Sequence, residues 1–163
     1  MSHLIVWKDS FSIDGGLIDN DHRYLILLIN EILEGIKDGE EPLGVRRNIG
    51  RLRCFARLHF DREEVLQTVA GFEHGVSHAL LHTDLIDQLD EAIEIAEGLA
   101  KRGACHDVDA RAEDCDRMKT FLYRWLLVHI LQEDAKMRPY VGRMRGAWGR
   151  FPPLHITGLD IAS

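Results

Sequence analysis

The chain has 163 residues, 45% of them hydrophobic, and its 20 lysines and arginines against 27 aspartates and glutamates give a formal net charge of −7. This length and composition predict one domain with a buried core. The negative charge disfavours nucleic acid and anionic membrane surfaces as partners. The apolar run at residues 4–7 is too short for a signal-peptide core or a membrane span, which predicts a cytoplasmic protein.

Cysteine usage gives no sign of a disulfide framework. Cys54, Cys105 and Cys115 are odd in number and have no CxxC spacing, so neither paired disulfides nor a thiolate metal site is indicated. Because thiolates are the ligands of soft metal ions, a soft-metal site is disfavoured as well.

The first 18 residues lack the periodicity of a helix and contain a pair of glycines. We interpret residues 1–18 as an extended N-terminal arm. Trp7 and Phe11 are the large apolar residues of this segment, and we expect them to pack on the domain.

Four amphipathic helices follow, because apolar residues recur every three or four positions. The first is predicted from the acidic segment at 19–21, whose residues suit an N-cap, to about residue 37. Pro42 suits the first turn of a second helix, over about 43–69. A third helix is predicted over about 73–102. The fourth carries an apolar stripe over 118–129.

Strand patterns are nearly absent, so the sequence predicts an all-α fold, an up-down-up-down four-helix bundle. The expected domain limits are 1–18 for the arm, 19–140 for the bundle and 141–163 for a basic, aromatic C-terminal tail. We expect this tail to lie outside the bundle core. It could be a docking segment for a protein partner, a contact in a homo-oligomer, or a disordered end.

Polar residues interrupt the apolar face of every predicted helix. Residues four apart on a helix point in nearly the same direction, and an unpaired polar group loses free energy when it leaves water. Histidines cannot satisfy one another in a large neutral cluster, whereas a metal ion accepts all their lone pairs. The interrupting residues are His22, His59, Glu63, His78, His82 and His129.

Asp134 lies five residues after His129, which is about 140° around a regular helix. The two side chains could not both face the core of an undistorted helix. If Asp134 is a ligand, we predict a π-bulge, a wide turn or another distortion between Ile130 and Asp134. With Asp134 the donors number seven, more than the four of a zinc site, so two metal ions fit better than one. Imidazole-rich sites suit Fe, Cu, Ni or Zn.

These motifs resemble the bacterial hemerythrins. The resemblance runs from residue 7 to about 140, and it rests on the segments WKDSFSIDGGLIDNDH (7–22), HFDREE (59–64), HALLH (78–82) and WLLVHILQED (125–134). It implies two iron ions bridged by an oxo or hydroxo group. It also implies that His78, His82 and His129 bind one iron, that His22 and His59 bind the other, and that Glu63 and Asp134 bridge them.

The resemblance further implies that O2 binds at the two-histidine iron in a pocket lined by Trp125, Leu126 and Ile130. Gln67 stands where a methionine is usual in the family, so it would add a polar group to this lining. Asp61, Arg62 and Glu64 fall beside the apolar face of the second helix, and we interpret them as solvated surface.

The leading functional hypothesis is reversible O2 binding for storage, delivery or buffering, without catalysis. A second hypothesis is an O2 or redox sensor that signals through the arm or the tail. A third is a di-iron enzyme acting on peroxide or nitric oxide. The sequence offers no general acid or base near the predicted pocket beyond the ligands, apart from the unusual Gln67.

Overall fold

The computed structural model describes residues 4–38, 41–101 and 108–151, and the regular structure of these residues is helical throughout. The α-helices are α1 (Leu17–Asp38), α2 (Pro42–Ala70), α3 (Gly75–Lys101), α4 (Val108–Tyr123), α5 (His129–Gln132) and α6 (Val141–Arg145). Between α4 and α5 lies a π-helical turn, Arg124–Val128. Short 3-10 helices span Asp9–Phe11, Asp134–Tyr140 and Trp148–Arg150.

The predicted all-α four-helix bundle is confirmed. Its first three helices are α1, α2 and α3, and the fourth is formed by α4, the π-helical turn and α5 in succession. Helix α1 packs against α2 and α4, and α2 packs against α3. The predicted end of the third helix, at about residue 102, lies outside the described residues.

Helix α1 begins two residues earlier than the sequence suggested, because a different aspartate caps it. The Asp14 carboxylate accepts hydrogen bonds from the backbone N–H groups of Gly16 and Ile18, at 2.8 and 3.0 Å. The Asp19 carboxylate points back and accepts from the N–H groups of Ile13 and Gly15, at 2.6 and 3.0 Å. The expectation that residues 19–21 form the N-cap was therefore wrong, although Asp19 does stabilise the entry into the helix.

Helix α2 has the limits expected from its terminal residues. Pro42 is in its first turn, where the missing N–H has no partner to lose. Gly71 ends the helix in the left-handed conformation, at φ 69°, and its N–H group bonds the carbonyls of Gln67 and Thr68. The structure thus confirms the predicted helix within one residue at each end.

The described part of the N-terminal arm contacts the bundle through its two aromatic residues. Phe11 is 3% exposed and belongs to the core, and Trp7 packs at the edge of that core under the guanidinium of Arg23, 3.9 Å from the ring centre. Asn30 of α1 bonds both the N–H and the C=O of Ile5, at 2.8 and 2.9 Å.

The beginning of the C-terminal segment also joins the core, which corrects the expectation that the tail lies outside it. Met144 is fully buried and Ala147 is 1% exposed. Trp148 lies so close to Gly16 that an added Cβ there would come within 2.3 Å of the indole ring. The sequence did not indicate this burial, because arginines lie between the apolar residues of this short segment. Residues 152–163 of the predicted tail lie outside the described part of the chain.

The described helices include none that is both long enough and apolar enough to cross a lipid bilayer.

Candidate metal centre

Seven buried donor side chains converge inside the bundle, and they are the seven that the sequence singled out. Each is at most 7% exposed, although histidine and carboxylate side chains usually reach the surface. They form two compact groups in which one donor atom from each residue lies within 4.8 Å of the others. The two-histidine group is His22, His59 and Glu63, and the three-histidine group is His78, His82, His129 and Asp134.

Glu63 turns one carboxylate oxygen towards each group. Its Oε1 lies 3.0 Å from Nε2 of His78 and 3.6 Å from Nε2 of His82, both in the three-histidine group. Its Oε2 lies 3.3 Å from Nε2 of His59, in the two-histidine group. This orientation is the one required of a carboxylate that bridges two metal ions.

Asp134 repeats this arrangement from the opposite side. Its Oδ1 lies 3.0 Å from Nε2 of His129, and its Oδ2 lies 3.2 Å from Nε2 of His22. The predicted distortion between residues 130 and 134 is present: α5 ends at Gln132, Glu133 has φ −104°, and the 3-10 helix begins at Asp134. The π-helical turn lies just before His129 rather than after it. This change of helix type brings Asp134 inward.

The donor atoms have the spacing and the unmet bonding capacity of a metal site. Two ligands bound at right angles to one ion, at about 2.1 Å, lie about 3 Å apart. The buried atoms that make no hydrogen bond within the described part of the chain include Nε2 of His22, His78, His82 and His129, Oε2 of Glu63 and both oxygens of Asp134. Native proteins rarely leave so many polar atoms unsatisfied in one place, so the residues present fit bound metal ions.

In the metal-free protein, protons offset the buried carboxylate charges. Burial opposes the charged imidazole of His59, but contacts with Asp21 and Glu63 outweigh burial and raise its pKa to about 10. Burial is likewise outweighed at His78, where Asp134 and Glu63 raise the pKa to about 9. Burial and Asp134 act to raise the pKa of Glu63, but His59 and His78 lower it to about 2. Metal ions would therefore replace bound protons.

A buried charge pair, which was not predicted from the sequence, contacts His59 on the side away from the donor atoms of its group. Asp21 Oδ2 lies 3.3 Å from Nδ1 of His59, and both Asp21 oxygens accept hydrogen bonds from Nη1 of Arg62, at 3.1 and 3.0 Å. An Nδ1–H that faces a carboxylate leaves the Nε2 lone pair free for a metal. Arg62 is 5% exposed, so the expectation that it is solvated was wrong.

A more exposed carboxylate supports His82 in the other group. Glu64 Oε1 lies 2.8 Å from Nδ1 of His82, and the Glu64 side chain is 38% exposed. Phe60 stacks on a face of the His82 ring, with centroids 4.0 Å apart and planes 8° apart. The interpretation of Glu64 as plain surface was therefore wrong, whereas Asp61 is exposed as expected. Burial lowers the pKa of His82 to about 3, which keeps its imidazole neutral.

The four residues expected to line an O2 pocket are all buried. Leu126 is 3% exposed, Ile130 0% and Gln67 1%. Trp125 is buried too, but its indole N–H bonds the carbonyl of Leu85 at 2.8 Å. Trp125 also borders a surface groove of about 460 Å³ between α3 and the fourth helix, beside His129. Its place is therefore next to the three-histidine group, while its part in an O2 pocket stays a prediction.

A helical bundle with two groups of buried imidazoles and two shared carboxylates defines a metal-binding bundle protein. Residues 16–141 match the hemerythrin HHE cation binding domain, and this range contains all seven donor residues. The chain belongs to the hemerythrin family.

Bacterial relatives are similar over most of the chain. The bacteriohemerythrin of Pseudomonas paraeruginosa is 30% identical over 135 residues, which cover 83% of this chain and 79% of the relative. The bacteriohemerythrin of Stenotrophomonas maltophilia is 26% identical over 155 residues, which cover 95% of this chain and 91% of the relative. The bacteriohemerythrin of Clostridium acetobutylicum is 28% identical over 134 residues, which cover 80% of this chain and 96% of the relative.

Proposed function

We propose that this protein holds two iron ions at the seven-donor site and binds O2 reversibly, for storage, delivery or local buffering. The observation that carries the proposal is the division of each carboxylate, with one oxygen facing each histidine group. The similarity to bacteriohemerythrins supports iron and O2 as the metal and the ligand. When bound, a ferrous pair supplies the electrons that O2 takes up and returns.

The protein side chains would set the place of ligand binding. The two-histidine group contributes one imidazole fewer than the other group, so a metal there would keep an open position. With a metal bound, Asp21 would hold the His59 ring in the tautomer that leaves Nε2 available. The buried side chains of Leu126 and Ile130 would exclude water from the interior, which favours release of O2 over oxidation of the metal.

A binding role fits the surroundings of the site better than catalysis does. Two nearby carboxylates outside the donor set, Asp21 and Glu64, are both engaged by histidine Nδ1 atoms. The neighbouring Arg62 is paired with Asp21. None of these groups is placed to deliver a proton to a substrate. We therefore assign no catalytic residue.

Visible spectroscopy tests the proposal directly. The purified protein is loaded with iron and reduced without air, and O2 is then admitted and removed again while the spectrum is recorded. We expect an oxygenated form that disappears on deoxygenation and returns when O2 is restored. Immediate and irreversible conversion to a ferric form would contradict O2 carriage and favour turnover of O2, peroxide or nitric oxide. Elemental analysis should find two irons per chain.

The His59→Ala variant tests the division of the site. We expect it to lose most of the metal from the two-histidine group and to keep the metal of the three-histidine group. The matched control is His74→Ala, because His74 is an exposed histidine at the start of α3, outside both groups. Full retention of both metals by His59→Ala would show that the site is misassigned.

A sensor role is the second candidate, and contacts between the two ends of the chain support it. Arg138 donates hydrogen bonds to the carbonyls of Ser10 and Ser12, at 2.9 and 3.0 Å, and Arg145 donates to the carbonyl of Asp14 at 3.2 Å. The arm continues into α1, which carries His22. A change at the metals could therefore reach the arm.

Limited proteolysis distinguishes the sensor from the carrier. A sensor should show different cleavage rates in the arm with and without O2, and the Arg138→Gln variant should abolish that difference. A carrier should show the same rates in both states. A protein partner or a homo-oligomer contact through residues 141–163, and a cytoplasmic location, stay predictions; size-exclusion chromatography tests the oligomer.

A further inference from the structure

Gln67 is a buried polar residue that the donor set does not include. It lies one turn after Glu63 on α2 and is 1% exposed. Its side-chain Nε2 donates a hydrogen bond of 2.8 Å to Glu63 Oε1 and makes a second contact of 3.2 Å with the sulfur of Met137. Its Oε1 is buried and has no hydrogen-bond partner among the described residues, so both polar contacts of the side chain are made by Nε2.

The chemistry of these two partners fixes the orientation of the amide. The carboxylate oxygen of Glu63 and the thioether sulfur of Met137 are both acceptors. A flipped amide would place its carbonyl oxygen against them and lose the hydrogen bond to a charged group, which is the stronger kind. Gln67 therefore donates N–H to Glu63.

The two partners belong to the two carboxylate segments of the site. Met137 is fully buried and lies three residues after Asp134, which is one turn of the 3-10 helix Asp134–Tyr140. Gln67 thus contacts Glu63 directly and also touches the segment that presents Asp134. The Glu63 oxygen that it bonds is Oε1, which faces the three-histidine group.

We propose that Gln67 is a positioning residue that makes the two oxygens of Glu63 unequal donors and stabilises the reduced state of the metals. Its N–H partly neutralises Oε1, so this oxygen gives less negative charge to the metal of the three-histidine group than Oε2 gives to the other. Less anionic charge disfavours the more highly charged ferric state. The inference rests on the proposed function, since it requires bound iron.

Potentiometry of the iron-loaded protein tests the electronic effect. Gln67→Met keeps the length of the side chain and removes the donor. We expect a lower midpoint potential and an oxidation rate in air about tenfold faster, the size expected when a hydrogen bond to a charged group is lost. The matched control is Gln132→Met, because Gln132 is an exposed glutamine, and it should behave like the wild type.

The same measurements distinguish a failure of the proposed function from a failure of the role proposed for Gln67. If wild-type protein does not bind two irons, the proposed function fails. If it binds both irons and O2, but Gln67→Met has the same potential and oxidation rate as Gln132→Met, the role of Gln67 is overturned while the proposed function stands.

Nuclear magnetic resonance of the metal-free wild type tests the hydrogen bond even if Gln67→Met does not fold. The chain has three glutamines, Gln67, Gln88 and Gln132, so labelling glutamine side chains with 15N shows three amide groups, each as a pair of proton signals at one nitrogen shift. We expect one to exchange with deuterated water far more slowly than the other two and to shift on addition of zinc. Equal exchange of all three, or no shift of the slow one, would contradict the inference.

Discussion

The two histidine groups contain similar donors, but the protein supports them differently. In the two-histidine group, His59 is backed by Asp21 and Arg62, and all three side chains are buried. In the three-histidine group, His82 is backed by Glu64, whose side chain is 38% exposed. Water screens a charge at the surface much more than one in the interior. His59 therefore has a less screened carboxylate partner than His82 has.

Asp134→Ala should have the largest effect, because it should weaken metal binding in both groups. Asp134 faces His129 in one group and His22 in the other. We expect the affinity for both metals to fall by more than roughly 100-fold, the upper loss for a residue that only supports a ligand. Elemental analysis after dialysis measures this. Glu133→Ala is the control, and equal metal content in both variants would contradict a bridging position.

Asp21→Asn should weaken the two-histidine group alone. It leaves the Arg62 charge buried beside a neutral partner, so the free energy of unfolding should fall by about 3 kcal/mol. Metal affinity of this group should fall about 10–100-fold. Urea unfolding and metal titration measure the two effects. The control is Asp61→Asn, which changes an exposed neighbouring residue. It should lower neither the free energy of unfolding nor the metal affinity. An equal loss of metal from both groups would contradict the prediction that Asp21 acts on the two-histidine group alone.

Raising the pH should act oppositely on the metal-free fold and on metal binding. The pKa values of His59 and His78 are raised to about 10 and about 9, from 6.5. Their protonated forms therefore stabilise the metal-free fold fully below about pH 6.5, and this stabilisation is lost as pH rises through 9 to 10. Metal affinity should increase over that range, by about tenfold per pH unit for each proton displaced.

Melting curves of metal-free and zinc-loaded protein between pH 6 and 10 check this expectation. The Tm of the metal-free form should fall with pH, and the gap between the two forms should widen. His82, whose pKa is lowered to about 3 by burial, should release no proton when it binds metal. A metal-free Tm that stays constant, together with a constant metal affinity, would contradict the assignment of bound protons.

Glu64→Gln should have the smallest effect of the series. The carboxylate is partly screened by water, and an amide oxygen can still accept from Nδ1 of His82. We expect a loss of about twofold to fivefold in the metal affinity of the three-histidine group, within the range of exposed ion pairs. Competitive metal titration measures it. A loss of metal affinity as large as that of Asp21→Asn would show that the exposure of Glu64 does not make it a weaker partner than Asp21.

The sequence was sufficient for the features that depend on periodicity. His59 and Glu63, and His78 and His82, are four residues apart, and this spacing placed each pair on the inner face of its helix. The need for a distortion before Asp134 followed from the same geometry. The limits of the second helix, predicted over about 43–69, were also correct within one residue, whereas the N-cap of the first helix was not.

Contacts between distant segments could not be predicted in this way. Asp21 and Arg62 are 41 residues apart, on two different helices, so the periodicity of neither helix brings them together. Periodicity ranks Arg62 as surface because it does not include the packing of α1 over that edge of α2. Met144 was missed for a related reason, since it occupies a short segment with too few turns to show a period.

The π-helical turn Arg124–Val128 has a consequence for how this chain tolerates insertions and deletions. A π turn accommodates one residue more than an α turn, so the segments before and after it differ by about 100° in register. The five residues of the π turn cover about the same rotation as four residues of an α-helix. Deleting one of them would restore a regular α-helix and keep His129 in its present direction, whereas converting all five to α-helix would turn His129 away from the other donors by about 100°.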